Sequence, residues 1–387
     1  MTPSREAHGL NMTFPMTKMR TDFWEAMRGN LMDKLDTETY RQRRIHEAKA
    51  KYAWRTAGAA RMSQARRSAW QTEFRHQFDT ALGGLRHWKR PSLKPVVTET
   101  KQMDGYRREG ITFTSRPGLE AFGWFLTPED CPTAQPAMIC LPGHGVGVDG
   151  IVGITEEAYS QNFALQCVRR GYPTFVLELT GFGRRRDAAA RAAGPGSSSC
   201  VRDSMAALML GETMSGWRVW DTMRALDYLE TRAEVVDPTR IGVMGISGGG
   251  LTALFSGALD TRIRSTVVNS YFNTFQASVL SIDHCVDNYV PDLLNICEMP
   301  DIAALVAPRA LFAVSGTKDP IFPIAAFEQA VAQAHDTYKT FGVPAQFGSE
   351  VFEGDHRFHG DGAFTFLEKT LQTPWGEPVA HTKKTGG

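Results

Sequence analysis

The stretch GISGG, residues 245–249, decides the fold. An apolar segment (IGVM, 241–244) precedes it, and a run of small and apolar residues (GLTALFSGAL, 250–259) follows it. The pattern predicts a buried strand, a sharp turn and a helix, because glycine allows the backbone to turn where a side chain would clash. In that context G-x-S-x-G is typical of a nucleophile turn. We therefore predict that Ser247 is a nucleophile; the alternative is a glycine-rich turn with an inert serine.

A candidate acid follows the apolar segment 310–315, which is typical of a buried strand. Asp319 comes just after this segment and stands before Pro320, with Pro323 close behind. A rigidly held carboxylate suits a residue that orients an imidazole, although an Asp-Pro turn is also favoured by turn chemistry alone. We favour Asp319 as the acid over three weaker candidates, which are Asp283, Asp287 and Asp301.

A candidate base follows the last predicted strand, 345–352. His356 is the first histidine after it, and it would accept the proton that a serine hydroxyl must lose to become nucleophilic. His359 is the rival base. A metal cluster of Asp355, His356, His359 and Asp361 is an alternative, but a serine nucleophile needs no metal, and we expect neither a metal nor a cofactor.

Stabilisation of a tetrahedral oxyanion requires backbone donors near the nucleophile. One is expected to be the N–H of Gly248, directly after the serine. The other should come from the loop PGHGVG, 142–147, which follows a predicted strand at 137–141. We favour the N–H of Val146 or Gly145. A phosphate-binding loop is a weak alternative here, because the lysine of a Walker motif is missing.

The composition is that of an ordinary globular protein, with 387 residues, 42% hydrophobic, and a net charge of +1. Residues 1–90 nevertheless carry 18 lysines and arginines against 9 acidic residues. This basic segment either lies on an acidic catalytic body, within or between subunits of a homo-oligomer, or binds an anionic surface. We favour the first, and expect no nucleic-acid and no membrane partner. The scattered cysteines and the absence of a visible signal peptide indicate a cytoplasmic location.

The chain divides into three predicted regions. Residues 1–92 are helical, with the first 20 or so loosely attached, residues 93–377 form the catalytic domain, and residues 378–387 form a flexible tail. Helical faces are predicted from Trp24, Met27, Leu31 and Leu35, and again from Trp70, Phe74, Phe78 and Leu82. A hairpin is expected around 116–118, a long loop at 181–203 and a helix at 204–230. Strands that alternate with helices predict a mainly parallel sheet with function at the carboxyl ends of its strands.

A cap-like insertion is predicted at 269–308, a long connection rich in aromatic residues. We expect it to cover the site and to supply substrate contacts, although ordinary packing of an inserted helix pair is the alternative. For His284 in particular, we favour a structural role over a catalytic one. The candidate substrate-binding residues are His144, Tyr271, His284, Asn288 and Tyr289.

Several motifs together resemble the α/β-hydrolase superfamily, and within it the branch of dienelactone-hydrolase-like and acetyl-xylan-esterase-like serine esterases. They are GISGG at 245–249, DPIFP at 319–323, GDH at 354–356, GWRVWD at 216–221, DYL at 227–229, VDPTRIG at 236–242, NYVP at 288–291 and EMPD at 298–301. The resemblance covers roughly residues 93–370. It implies an α/β-hydrolase fold, with a mainly parallel central sheet flanked by helices, an N-terminal helical segment and a cap-like insertion.

The same resemblance implies a serine esterase for acetyl or other short-acyl esters, with Ser247, Asp319 and His356 as the catalytic triad and a small-molecule ester as substrate. Two departures matter. Dienelactone hydrolases proper use a cysteine nucleophile, and secreted members of the branch carry signal peptides, which weakens a role in deacetylating polymeric xylan. Cleavage of an amide, thioester or carbon–carbon bond by the same triad remains open, and a non-catalytic binding protein is a further alternative.

Overall fold

The computed structural model describes residues 35–55, 57–156 and 158–372. The predicted loose residues 1–20, the helical positions Trp24, Met27 and Leu31, and the tail 378–387 lie outside these ranges. The chain divides into two units, 1–49 and 50–387. In the first, helix α1 (Thr37–Glu47) begins at Asp36, whose carboxylate accepts hydrogen bonds from the N–H groups of Glu38 and Thr39, and none of its residues is buried.

The second unit is built on a sheet that has nine strands among the described residues, in the order β1-β2-β3-β5-β4-β6-β7-β8-β9. The first three strands and β5 pair antiparallel, and β5, β4 and β6 to β9 pair parallel. The strands are β1 (Val96–Met103), β2 (Tyr106–Arg116), β3 (Leu119–Pro128), β4 (Gln135–Leu141), β5 (Thr174–Leu177), β6 (Val236–Ile246), β7 (Ile263–Asn269), β8 (Ala310–Gly316) and β9 (Phe347–Phe352). This mainly parallel sheet confirms the predicted fold class.

Helices connect and cover the parallel strands, as a parallel sheet requires. They are α2 (Gln64–Ala81), α3 (Val148–Ile151), α4 (Phe163–Arg169), α5 (Ala188–Ala192), α6 (Cys200–Met209), α7 (Met214–Glu230), α8 (Gly248–Leu259), α9 (Leu293–Ile296), α10 (Ala303–Val306), α11 (Ile324–Thr340) and α12 (Asp361–Thr370). Short 3₁₀ turns occur at Ala59–Arg61, Leu85–His87, Ala158–Ser160, Gly183–Arg185, Val286–Asn288, Met299–Ile302 and Pro344–Gln346. No helix in the described ranges combines the length and apolarity that crossing a membrane demands.

Residues 50–92 belong to the same unit as the sheet, whereas the sequence predicts a boundary at 92. The predicted face of α2 is confirmed, because Phe74, Phe78 and Leu82 are all fully buried. Phe78 packs edge-on against Phe255 of α8, with ring centroids 4.9 Å apart. The guanidinium of Arg75 also donates a hydrogen bond to the carbonyl of Ala258, which lies at the end of α8. This part of the basic N-terminal region is therefore anchored on the helix that follows Ser247.

The remaining differences from prediction are local. The hairpin is confirmed as β2–β3, with its turn at 117–118. The predicted loop 181–203 contains helix α5 and the start of α6, and the predicted helix 204–230 is broken after Met209 and resumes at Met214. The predicted insertion 269–308 consists of turns and helices of four residues or fewer.

Candidate active site

The turn between β6 and α8 holds Ser247 in an unusual backbone conformation, with φ of 55° and ψ of −123°. Its N–H donates to the carbonyl of Asn269 at the end of β7, 3.0 Å away. Glycine is required on both sides. A Cβ at position 245 would lie 2.1 Å from the carbonyl oxygen of Gly249, and a Cβ at 249 would lie 2.1 Å from that of Leu141. The glycines thus allow strand and helix to approach closely and present the serine at the carboxyl end of the sheet.

Asp319 and His356 follow the neighbouring parallel strands β8 and β9. The two side chains meet, with His356 Nδ1 2.8 Å from Asp319 Oδ2. The second carboxylate oxygen accepts the N–H groups of Ile321 and Phe322, at 2.9 and 3.1 Å. The carboxylate is fully buried. It is therefore held by three donors, which fixes the orientation of the imidazole ring.

Ser247 and His356 open onto the same cavity, of about 390 Å³. The ring of His356 lies between two aromatic rings, stacked on Phe322 at 5.7 Å and on Tyr159 at 6.2 Å. The other residues of the wall are His144, Ile282, Asp283, His284, Cys285 and Ile321. A larger cleft of about 940 Å³ lies elsewhere, between α2 and the ends of α7 and α8, and does not include Ser247.

The loop after β4 is fixed at both ends beside this cavity. At its start, a Cβ on Gly143 would lie 3.1 Å from the Cβ of Ser247, and the carbonyl of His144 accepts the hydroxyl of Tyr159 at 2.9 Å. At its end, the N–H of Val148 donates to the buried carboxylate of Glu178 at 3.0 Å. Burial raises the pKa of Glu178 to about 7.

The residues predicted to donate to the oxyanion lie in the loop after β4 and at the start of α8, on either side of Ser247 in the chain. Gly145 and Val146 lie between the two fixed ends of the loop, and Gly145 has a φ of 156°, within the region that favours glycine. Gly248 begins α8 directly after the serine. Their role as donors stays a prediction.

A second histidine–aspartate pair lies beside the first residue of α8. His144 Nε2 is 2.9 Å from Asp287 Oδ2, and that same oxygen accepts Nη1 of Arg218 at 2.6 Å. The guanidinium also donates to the carbonyl of Thr180 from Nε and Nη2, at 3.1 and 3.0 Å. The His144 ring is close to Gly248, because a Cβ there would lie 3.0 Å from its Nδ1.

The charges in this second pair reinforce one another. Burial lowers the pKa of His144, but the Asp287 carboxylate outweighs it and raises that pKa to about 9. Burial also raises the pKa of Asp287, yet Arg218 and His144 together hold it well below its usual range. His144 is therefore an imidazolium at neutral pH, fixed on a carboxylate that Arg218 also clamps.

A group of potential metal ligands is formed by His144, Cys200, Cys285 and Asp287, whose ligand atoms all lie within 4.8 Å of one another. Arg218 already enters this group, since its Nη2 is 3.1 Å from the sulfur of Cys200. A buried guanidinium repels a second cation, so we interpret the group as an ion-pair network. The predicted alternative cluster is divided between separate partners, because His356 faces Asp319 and His359 Nε2 lies 3.2 Å from Glu350.

The candidate substrate-binding residues separate into two sets. His144 and His284 line the cavity. Tyr271, Asn288 and Tyr289 are not among its lining residues. Tyr271 is buried against Phe322, Asn288 donates to Asp287 Oδ1 at 2.6 Å, and the hydroxyl of Tyr289 donates to the carbonyl of Val279 at 3.1 Å. The last two support the segment that carries the cavity wall.

The rival acids have other partners. Asp287 binds Arg218, and Asp301 accepts the N–H of Trp54 at 2.8 Å, while Asp283 lines the cavity. Sequence reasoning missed Tyr159 and Arg218. The one available signal for Arg218 is a charged residue between the two tryptophans at 217 and 220.

Comparison with known proteins identifies the family. A sequence profile of the Abhydrolase family matches residues 20–351, which include Ser247 and Asp319. The protein YtaP of Bacillus subtilis (strain 168), provisionally named a hydrolase, is 28% identical over 264 residues, or 65% of this chain and 83% of that protein. The 4-O-methyl-glucuronoyl methylesterase 1 of Wolfiporia cocos (strain MD-104) is 28% identical over 169 residues, which are 37% of this chain and 41% of that enzyme.

A similar fold occurs in a provisionally assigned acetyl xylan esterase from Bacteroides fragilis NCTC 9343, with a TM-score of 0.70 and 22% identity, covering 82% of each chain. At that identity the likeness concerns the fold. The profile match covers most of the chain and agrees with the sheet order, the strained serine turn and the helices on both faces. The chain is a hydrolase with the α/β-hydrolase fold, and it belongs to the Abhydrolase family.

Proposed function

We propose that this protein is a serine carboxylesterase that hydrolyses small, short-acyl esters through an acyl-enzyme on Ser247. The observation that carries the proposal is geometric. A serine on a strained strand-to-helix turn opens onto the same cavity as a histidine that is held 2.8 Å from a buried carboxylate. These are the three components of serine-based acyl transfer.

In the proposed mechanism, His356 accepts the proton of Ser247 while the serine oxygen attacks the ester carbonyl. The Asp319 carboxylate holds Nδ1–H of His356, so that Nε2 is the basic nitrogen, and it stabilises the imidazolium that forms. The N–H groups of Gly248 and of Val146 or Gly145 bind the tetrahedral oxyanion. The protonated His356 then gives its proton to the leaving alcohol, and water repeats the sequence on the acyl-enzyme.

The substrate class is supported by the size of the cavity and by the named relatives. A cavity of about 390 Å³ lies at the lower end of the range for small-molecule sites, which suits a short acyl group. The matched proteins are named for acetyl xylan and for 4-O-methyl-glucuronoyl methyl esters. We therefore propose that the substrate is a carbohydrate acetylated on a sugar hydroxyl. A uronate methylated on its carboxyl is the alternative; there the alcohol is the short group, and the sugar itself would be the acyl group on Ser247.

The test compares hydrolysis of p-nitrophenyl esters from acetate to octanoate by the wild type and by Ser247→Ala. We expect the acetate to be turned over fastest and the variant to lose at least about 10⁴-fold in kcat, because the serine cannot be replaced as the nucleophile. Ser256→Ala is the matched control, since this serine lies on the same helix, is buried and has no hydrogen-bond partner for its hydroxyl. It should retain nearly full activity.

A fluorophosphonate probe distinguishes the ways in which the proposal can fail. Labelling of the wild type but not of Ser247→Ala, together with no ester turnover, would support Ser247 as the nucleophile and reject esters as the substrate class. More than a few per cent of activity in Ser247→Ala would reject the nucleophile itself. Acetylated xylo-oligosaccharides and a methyl glucuronate ester, compared side by side, then decide between the two carbohydrate esters.

A further inference from the structure

Two cysteines from distant parts of the chain meet behind the cavity wall. Cys200 is the first residue of α6, and Cys285 belongs to the wall itself, next to His284. Their sulfurs lie within 4.8 Å of each other. Cys200 is fully buried, whereas Cys285 is half-buried and lines the cavity. A small molecule that enters the cavity therefore reaches Cys285 first and has Cys200 directly behind it.

The surroundings of this pair favour a sulfur anion. The guanidinium of Arg218 donates to the sulfur of Cys200 at 3.1 Å. The hydrogen bond from Cys285 and the charge of Arg218 lower the pKa of Cys200 to about 5, although burial opposes them. The same hydrogen bond and burial raise the pKa of Cys285. The pair thus shares one proton and one negative charge, which is the form in which cysteine is nucleophilic.

A second pair of cysteines in the same unit provides a contrast. Cys140 on β4 and Cys167 on α4 have their sulfurs 3.7 Å apart, yet both are fully buried in an apolar cluster. Burial raises the pKa of Cys140 well above its usual range. The sulfurs of Cys140 and Cys167 are close together, but within the described part of the chain no charged group stabilises a thiolate there, and both side chains are fully buried. The two pairs of cysteines therefore differ in charge and in access, and not in the proximity of their sulfurs.

We propose that Cys200 and Cys285 form a dithiol site that a hydroperoxide converts to a disulfide. The Cys200 thiolate attacks the outer oxygen of the hydroperoxide. The O–O bond breaks, Cys200 becomes a sulfenic acid, and the departing alkoxide takes the proton of Cys285. The Cys285 thiolate then attacks the sulfur of Cys200 and displaces hydroxide. Two sulfurs are oxidised by two electrons in total, and the hydroperoxide is reduced to an alcohol and hydroxide.

The disulfide would alter the cavity. It ties residues 282–285, which form part of the wall, to the first turn of α6. It also removes the thiolate charge beside Nη2 of Arg218, which keeps its ion pair with Asp287. We expect ester hydrolysis to fall as the disulfide forms. This consequence rests on the proposed function, whereas the disulfide itself does not.

The test treats the full-length protein with graded hydrogen peroxide, blocks free thiols with N-ethylmaleimide and maps non-reduced peptides by mass spectrometry. We expect a 200–285 cross-link that appears before any 140–167 cross-link and disappears on addition of dithiothreitol. Cys285→Ser should abolish it. Cys167→Ser, which breaks the apolar pair, is the matched control and should leave it unchanged.

Three outcomes would overturn the site. They are a 140–167 cross-link that forms first, oxidation of Cys285 to sulfinic acid while Cys200 stays alkylatable, and one retained equivalent of zinc that Cys285→Ser loses, which would make the group a metal site. Turnover of p-nitrophenyl acetate is followed in the same samples. A cross-link without a change in turnover supports the site and rejects only its effect on the cavity.

Discussion

In the part of the chain that the structure describes, two histidine–aspartate pairs lie beside one cavity, and the distances within the two pairs are nearly the same. His356 and Asp319 are 2.8 Å apart, and His144 and Asp287 are 2.9 Å apart. The carboxylates differ in their other partners. Asp319 accepts two backbone N–H groups, whereas Asp287 also accepts the buried guanidinium of Arg218. The difference shows that the chemistry of such a pair depends on what holds the carboxylate.

Neutral donors orient Asp319 without adding charge, so the first pair suits a histidine that must accept and release a proton in each turnover. In the second pair the ring of His144 lies close to Gly248, and the Asp287 carboxylate raises the pKa of this histidine to about 9, so the ring stays protonated. We therefore expect substitutions in the first pair to affect catalysis and substitutions in the second to affect mainly stability.

The largest effect is expected from Asp319→Asn, which tests whether the first pair is the catalytic one. The amide can still accept the two backbone N–H groups, but it cannot stabilise an imidazolium and favours the wrong tautomer of His356. We expect kcat on p-nitrophenyl acetate to fall by about 10⁴-fold, with a change of less than about 1 kcal/mol in the free energy of unfolding. A variant that keeps a tenth of wild-type activity would show that Asp319 is not the catalytic acid.

The counterpart is Asp287→Asn. This change leaves Arg218 and His144 buried without their common anion, and breaking such a buried pair costs about 3–5 kcal/mol. We expect that loss in the free energy of unfolding, measured by urea denaturation at pH 7. The folded variant should lose less activity than Asp319→Asn does. A larger loss of kcat with unchanged stability would assign the catalytic role to the second pair.

The two pairs also differ in how far the sequence reveals them. Ser247 and Asp319 follow apolar strands, and His356 follows the mixed strand β9. The carboxyl ends of parallel strands meet at one edge of a sheet, so local pattern and topology together predict their neighbourhood. The glycines at 245 and 249 indicate the sharp turn in the sequence, because no side chain fits at either position. The fold class follows from the same alternation of strands and helices, whereas the order of the strands in the sheet comes from the structure.

The second pair follows from no such pattern. Arg218 lies in the middle of α7, His144 in the loop after β4, and Asp287 in a 3₁₀ turn of the insertion, so their contact depends on tertiary packing.

Weak local signals explain the other differences between the predicted and the observed elements. Strand β1 is an exposed, mostly polar edge strand, and the break between α6 and α7 falls at Leu210–Thr213, where Gly211 has a positive φ. The packing of α2 on α8 is likewise not predictable from local pattern, because it uses aromatic residues whose partners are distant in sequence.

The pH dependence of the free energy of unfolding tests whether His144 of the second pair is charged. The pKa of His144 is raised from 6.5 to about 9, so the folded protein binds this proton more tightly than the unfolded chain does. Its contribution, about 3 kcal/mol, is fully present below pH 6.5 and is lost as the pH rises toward 9. We expect urea unfolding of the wild type to show this loss between pH 6.5 and 9, and His144→Gln to lack it. Parallel curves for the two proteins would mean that His144 is not held as an imidazolium.

The smallest expected effect comes from Tyr159→Phe, which links the two pairs. The hydroxyl of Tyr159 donates to the carbonyl of His144, while its ring stacks on His356. Phenylalanine keeps the ring and removes the donor, so the loop that should supply the second oxyanion donor is held less firmly. A lost neutral hydrogen bond is worth about 1 kcal/mol, which predicts a decrease of about fivefold in kcat/KM. Tyr289→Phe is the matched control, because it removes a similar hydroxyl-to-carbonyl bond to Val279 away from the cavity lining. Equal decreases in the two variants would show that the loop contact has no special role in catalysis.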